Sequence, residues 1–324
     1  MKPKTEAYIR FLSRHADPII RWRTKQALLS GYASSEITEA RNDLAHSPII
    51  QGLLRDKQDD GGIRYHPYDK WFGAHWVLYL LADLGYPAGD EALKPLLEQC
   101  YAWLLSKEHA KHIREINGRT RRCASQEGNC IYYSLVLGLA DQRTQELAER
   151  LIKWQWEDGG WNCDKRPDAA VSSFNETLIP LRGLAHYATI SDDSKIRLAV
   201  DKAAQVFLKR QLIYRMRDER IIDQHFIKLH YPNYWHYDYL FALKVMAEAG
   251  YIDDPRCKNA LDMLEGKQLP DGGFPAEERY YHVDEKKLSG HSRVDFGGTS
   301  NIRSNPFVSL DALIVLKKSG QLVL

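Results

Sequence analysis

The sequence predicts an all-α fold in which apolar helices alternate with amphipathic ones, and three observations carry that prediction. The turn Asp-Gly-Gly occurs three times, at Asp60-Gly61-Gly62, Asp158-Gly159-Gly160 and Asp271-Gly272-Gly273. Each copy follows a glutamine (Gln58, Gln155, Gln268) and precedes an apolar residue (Ile63, Trp161, Phe274). The spacings, 98 and 113 residues, are roughly twice a 50-residue repeat, so degenerate copies should lie between them. An apolar run ending near an alanine also recurs, at His75–Ala82, Tyr133–Ala140, Leu178–Ala185 and Leu240–Ala247, with a weaker copy at Leu310–Leu316. No long stretch alternates apolar and polar residues with period two, so sheet content should be small.

In chain order, Glu6–Gly31 reads as helical with a break at Asp17-Pro18, and Glu36–Leu54 as a further helical pattern. The apolar runs then read as buried helices. Between them, Glu91–Leu105, Thr144–Trp156, Ser194–Leu212 and Pro255–Gly266 carry apolar residues at i, i+3, i+4 and i+7, the pattern of a helix with one wet face. The segment 277–305 lacks such a pattern and reads as a long loop or lid. No Ser/Pro-rich linker divides the chain, so residues 1–324 form one domain in this reading.

Composition narrows the function classes. Forty-five Lys+Arg against 43 Asp+Glu give a formal charge of +2, which disfavours an electrostatic nucleic-acid binder. Mean hydropathy is −0.48, and no apolar run approaches the roughly 18–20 residues of a membrane span. Residues 1–18 lack the apolar core and small-residue site of a secretory signal, and five cysteines is an odd number. A reducing cytoplasm is the expected compartment. Aromatic residues are plentiful: 8 Trp, 18 Tyr and 9 Phe.

The Asp-Gly-Gly-aromatic turns, in register with alternating helices over roughly residues 50–320, resemble the repeats of the terpenoid cyclase and protein prenyltransferase superfamily. The segments Gly159–Asp164, Ser172–Phe174 and Trp235–Asp238 resemble uncharacterised bacterial squalene-cyclase-repeat proteins. The resemblance implies an α/α toroid of five to six helical hairpins: inner helices ring a central cavity, outer helices wrap them, and 1–54 completes the ring. It also implies a prenyltransferase-like or cyclase-like protein holding a hydrophobic, isoprenoid-like small molecule. The chain departs from the family at its catalytic motifs. There is no Asp-x-Asp-Asp, and Asp192-Asp193-Ser-Lys-Ile196 lacks the last Asp of Asp-Asp-x-x-Asp. Cys130 and His236 fall where zinc ligands of the prenyltransferases would fall within a repeat, but Gly128 stands at the Asp position, and the Cys and His lie two repeats apart.

In such a toroid the starts of the inner helices share one end. Trp71, His75, Tyr132, Phe174, Glu176, Tyr234, Trp235, His236 and Asp238 would line its mouth, or simply fill its centre. Among them Glu176, His236, Asp238 and His75 are the candidates for acid–base chemistry, since a desolvated carboxyl holds its proton to higher pH. His236 and Asp238, two apart, do not face each other on a helix. Trp71, Tyr132, Phe174, Tyr234 and Trp235 are the candidate substrate surface. Arg121 and Arg122, in the basic run Arg114–Arg122, could hold an anionic head group, or form a solvated loop. Zinc is the candidate cofactor, held by Cys130, Cys163 and His236 with water or Asp238 as fourth ligand. The competing reading makes the cysteines buried hydrophobes, or pairs Cys123 with Cys163 or Cys130. Two other functions fit the same residues: a carbohydrate-active α/α barrel using Glu176 and Asp238, and a non-catalytic helical scaffold.

Overall fold

The computed structural model describes residues 3–29 and 42–323. The fold is all-α, with two small sheets of two strands each. The helices are α1 (Pro3–Ser13), α2 (Pro18–Leu28), α3 (Pro48–Leu54), α4 (Ala74–Asp83), α5 (Lys94–Leu104), α6 (Lys107–Ala110), α7 (Ser125–Val136), α8 (Gln142–Trp154), α9 (Phe174–Ala188), α10 (Ser194–Leu208), α11 (Tyr239–Glu248), α12 (Lys258–Gly266) and α13 (Pro306–Lys318). Strands β1 (Arg114–Ile116) and β2 (Arg119–Arg121) form an antiparallel hairpin, and β3 (His282–Val283) and β4 (His291–Ser292) a short parallel pair.

Most expected helices are found, with shifted ends. The Asp17-Pro18 break is a helix start: Asp17 caps α2 by accepting the Ile19 N–H, with Pro18 in the first turn. Of the pattern Glu36–Leu54, residues 36–41 lie outside the described residues, and the rest includes α3. The run Tyr133–Ala140 is the end of a helix that starts eight residues earlier, at Ser125, and its last residues form the C-terminal turn. The helix expected over Ser194–Leu212 ends at Leu208.

Two classes of helix are evident. Every residue of α4 is buried, as are Tyr239–Met246 of α11 and Thr177–Ala185 of α9. Helices α8 and α10 bury one stripe each. The buried helices contact one another in chain order: α4 packs on α7, α7 on α9, α9 on α11, α11 on α13, and α13 on α2. Helix α2 meets the end of α4, where Trp22 Nε1 donates to the Gly85 carbonyl (2.6 Å). Each amphipathic helix packs on the buried helix before it: α5 on α4, α8 on α7, α10 on α9, α12 on α11.

The three Asp-Gly-Gly turns share one hydrogen-bond pattern. The first Gly N–H donates to the carbonyl two residues before the Asp (Gln58, Trp156, Leu269), and that residue's N–H donates to the second Gly carbonyl. The first glycine of each has φ of 83°, 104° and 93°, a conformation other residues adopt only at a cost. In the second and third copies, Asp158 and Asp271 accept from Ser172 and Ser304 just before the next buried helix. Thr177 and Ser309 hydroxyls accept the N–H of Trp161 and Phe274. Each turn also docks on an amphipathic helix. Gln99 of α5 holds Ile63, Gln155 reaches the Ala199 carbonyl of α10, and Gln268 reaches Thr5 of α1. Helix α1 therefore stands to the third turn as α10 stands to the second.

The close approach of α7 and α9 is built on glycine. A Cβ on Gly128 of α7 would meet the Pro180 backbone of α9 at 2.7 Å, and one on Gly183 would collide with the Gly128 carbonyl. The segment 277–305 is a loop containing β3 and β4, anchored by buried Tyr281, Val294 and Phe296.

Candidate functional site

The N-terminal ends of α7 and α9 bring together Cys123, Cys163 and Glu176. One ligand atom from each lies within 4.8 Å of the others. Cys123 ends the strand-to-helix link before α7, and Cys163 follows the second Asp-Gly-Gly turn. Glu176 lies in the first turn of α9, whose N-cap Ser173 side chain accepts the Glu176 N–H. Glu176 Oε2 accepts the Ser125 N–H (3.1 Å), and Cys163 Sγ approaches Oε1 at 3.7 Å. The neighbouring Cys163 thiol raises the pKa of Cys123, and the Cys123 thiol lowers that of Cys163. Burial raises Glu176 above the usual carboxylate range.

Beside the cluster, Arg122 is committed to structure. Its Nε and Nη2 bond Glu127 Oε1 at 3.0 and 2.7 Å, and Nη2 also contacts Gln126 and His109. Arg121 is buried, donates to the Ala169 carbonyl (2.9 Å) and covers the Trp156 ring. Arg122 is not the open anion fork the basic run suggested, because its guanidinium is drawn onto Glu127, Gln126 and His109, whereas Arg121 Nε and Nη2 are buried with no hydrogen-bond partner among the described residues.

The expected trio Cys130, Cys163 and His236 does not assemble. Among the described residues the one group of three or more metal-ligating side chains is Cys123, Cys163 and Glu176. Cys130 is fully buried in α7, where burial raises its pKa. His236 stacks on Tyr280 (ring centroids 3.8 Å) and Trp235 (4.7 Å). Burial, then the neighbouring His230, lowers its pKa to about 3. Asp238 is the N-cap of α11: Oδ1 accepts the Phe241 N–H (2.7 Å), and Oδ2 faces the His230 N–H and ring. His75 is buried with Nδ1 3.2 Å from the Tyr133 hydroxyl, and burial lowers its pKa to about 3.

The aromatic residues largely pack on one another. Trp71 stacks on Tyr234 (3.4 Å between centroids) and Trp235 (5.2 Å). Trp71 and Tyr234 are buried, and Trp235 is partly open. Phe174 packs with Phe207, Phe226 and Tyr237. Tyr132 is not at this end of the helices: its ring lies 3.7 Å under the Arg182 guanidinium.

Arg182 belongs to a second polar cluster that the sequence reading missed. The middle and last turns of the six buried helices contribute Arg23 (α2), Asp83 (α4), Tyr132 (α7), Arg182 (α9), Lys244 and Glu248 (α11) and Asp311 (α13). Arg182 donates to Glu248 through Nε (2.6 Å) and Nη2 (2.8 Å), and to Asp83 through Nη1 (2.9 Å). Lys244 Nζ bridges Asp83 (2.7 Å) and Asp311, and Arg23 pairs with Asp311. Burial alone would raise Asp83, but Lys244, then Arg182, hold it below the usual carboxylate range. Glu248 is held low in the same way by Arg182. The signal was present: Arg23, Asp83, Arg182, Lys244 and Asp311 are charges set in or at the end of otherwise apolar stretches. Such charges must find each other once buried.

Comparison of the chain with protein-family models, with curated proteins and with solved structures finds no match.

Proposed function

We propose that the chain is an α/α toroid of the terpenoid cyclase and protein prenyltransferase kind, with a zinc-type centre held by Cys123, Cys163 and Glu176. The toroid reading is supported by the chain-order packing of the buried helices, by the return of α2 to α4, and by the equivalence of α1 and α10 at their turns. In that arrangement α1 and α2 complete the ring.

The convergence of two thiols and a carboxylate within 4.8 Å carries the metal reading. Thiolate and carboxylate donors suit zinc, and three protein ligands leave a fourth position for water or substrate, the pattern of a catalytic site. Bound there, zinc would supply a Lewis acid and lower the pKa of a water or thiol. The chain's own groups support the role. The Ser125 N–H orients Glu176, and Arg122 favours negative charge nearby. Tyr68 packs against Trp76, Trp103 and His75 in the aromatic cluster. The substrate class is a hydrophobic small molecule, the class that the resemblance implies.

The test is elemental analysis of the purified protein, together with Cys163→Ser and Glu176→Gln. The reading expects close to one equivalent of zinc in the wild type, lost in Cys163→Ser and weakened in Glu176→Gln. A metal-free wild type, with Cys123 and Cys163 recovered as a disulfide by mass spectrometry, would replace the metal centre with a redox pair.

A further inference from the structure

The two sulfurs of the candidate centre are carried by backbone segments that pair with each other. Arg121 forms a parallel bridge with Asn162, and the Arg122 N–H donates to the Asn162 carbonyl (3.1 Å). Cys123 and Cys163 are the residues that follow these contacts on the two segments. Paired strands run about 4.8 Å apart, and a disulfide forms where the Cα atoms lie about 4.4–6.8 Å apart. The sulfurs themselves lie within 4.8 Å of each other. Neither cysteine is in a helix: Cys123 is in the link between β2 and α7, and Cys163 opens the irregular segment 163–173 before α9. No helix has to break for the sulfurs to meet.

Access separates this pair from the other three cysteines. Cys123 and Cys163 are partly exposed, whereas Cys100, Cys130 and Cys257 are buried. Burial pushes the thiols of Cys100 and Cys257 up to about 12 and raises that of Cys130 as well. A cysteine is oxidised as its thiolate, and only where the oxidant reaches it. The three buried cysteines are protected on both counts.

We propose that Cys123 and Cys163 are a redox-active dithiol, closed by a small hydroperoxide, and that closure switches the centre off. In the first step one thiolate attacks an oxygen of the peroxide. An S–O bond forms, the O–O bond breaks, and the departing oxygen takes a proton from water and leaves as an alcohol, or as water when the oxidant is hydrogen peroxide. In the second step the other thiolate attacks the sulfenic sulfur. The S–S bond forms, the S–O bond breaks, and hydroxide leaves and takes up a proton. Two electrons have passed from sulfur to the peroxide. Both thiolates are then gone, and Glu176 is the one ligand left of the three. Zinc binding through cysteine needs the thiolate, so closure releases the ion. That consequence rests on the zinc reading of the same site.

The experiment starts from the full chain, reduced with a phosphine, loaded with zinc and freed of the excess of both. One equivalent of hydrogen peroxide is added. Thiols are counted after unfolding, released zinc is followed with a chromogenic chelator, and the cross-link is mapped by mass spectrometry of peptides. Free thiols should fall by two, from five to three. The cross-link should join Cys123 to Cys163, and zinc should appear at the rate at which the disulfide forms. Circular dichroism should not change, and dithiothreitol should restore both the thiols and zinc binding. Cys123→Ser should form no disulfide. Peroxide that leaves all five thiols free, or that pairs Cys123 with Cys163 only in denaturant, overturns the proposal. So does zinc that stays bound after the disulfide has closed. A reduced chain that takes up no zinc yet closes the same disulfide refutes the metal reading instead and leaves the dithiol standing.

Discussion

Replacing Arg182 with leucine should destabilise the protein by about 3 kcal/mol, less than the upper end of the 3–5 kcal/mol that breaking a buried ion pair costs. The side chain is 1% exposed and makes three charged hydrogen bonds, two to Glu248 and one to Asp83. Its loss does not strand both carboxylates equally. Asp83 keeps Lys244 at 2.7 Å, and the Glu248 side chain, 22% exposed, keeps His186 at 3.4 Å and can take water. Those residual partners set the estimate at the low end. With an unfolding entropy of about 2.1 cal/mol/K per residue, 324 residues give about 0.7 kcal/mol/K, so Tm should fall by about 4 °C. Denaturant unfolding followed by circular dichroism measures the free energy, and adding Glu248→Gln to Arg182→Leu supplies the control. If the cost is a carboxylate left without its cation, the second change removes that charge and restores part of the stability. A loss under about 1 kcal/mol, or a double variant less stable than Arg182→Leu alone, would refute the reasoning.

Other expectations rest on single observations. Gly183→Ala should cost about 1–3 kcal/mol through overpacking against the Gly128 carbonyl, despite alanine's better helix propensity; a stabilised variant would mean that α7 and α9 separate freely. Trp71→Ala should cost about 3–5 kcal/mol, as for a core aromatic, because Trp71 is 6% exposed and stacked on two rings; unfolding that hardly changes would make it an open cavity wall. His75 and His236 are neutral in the fold with pKa near 3. Their stabilising contribution is complete above the unfolded histidine value of about 6.5, and it fades as pH falls below that value toward 3. Unfolding free energy should therefore drop between pH 7.5 and 5.5, with a slope approaching about 1.4 kcal/mol per pH unit for each histidine. A flat profile that stays flat in His75→Gln would show that neither imidazole is kept neutral.

The fold was legible because it is repetitive and its signals are local. A buried helix shows as an apolar run, an Asp-Gly-Gly turn as three letters, and a helix start as Asp17-Pro18. Ends were less legible: the apolar run at Tyr133–Ala140 hid a helix whose first half, Ser125–Asn129, is polar yet buried. That half is buried because Gly128 lets α9 approach and because Arg122 neutralises Glu127. The candidate centre was half legible. Cys163 and Glu176 stood out as residues near helix starts, but their partner is Cys123, in the link between β2 and α7, rather than Cys130 inside the helix. On α7, Cys130 falls on a face buried in the core, with Cys100 and Tyr133 as neighbours. A mouth lined by aromatics was read from position alone. Position does not tell whether two rings face a space or each other, and Trp71 and Tyr234 face each other.

The charge cluster asks for a reason beyond stability. Desolvating three cations and three anions costs several kcal/mol per ion, and well-packed apolar residues would serve the core about equally well. What apolar residues could not do is distinguish one buried helix from the next. The repeats present similar apolar surfaces, and similar surfaces can slide or exchange neighbours. Asp83 is satisfied only when α9 and α11 both deliver a cation to it, and Asp311 only when α2 and α11 do. Pairing that depends on three helices at once fixes order and register in a way that pairwise hydrophobic contact does not. That logic accounts for every bond in the cluster.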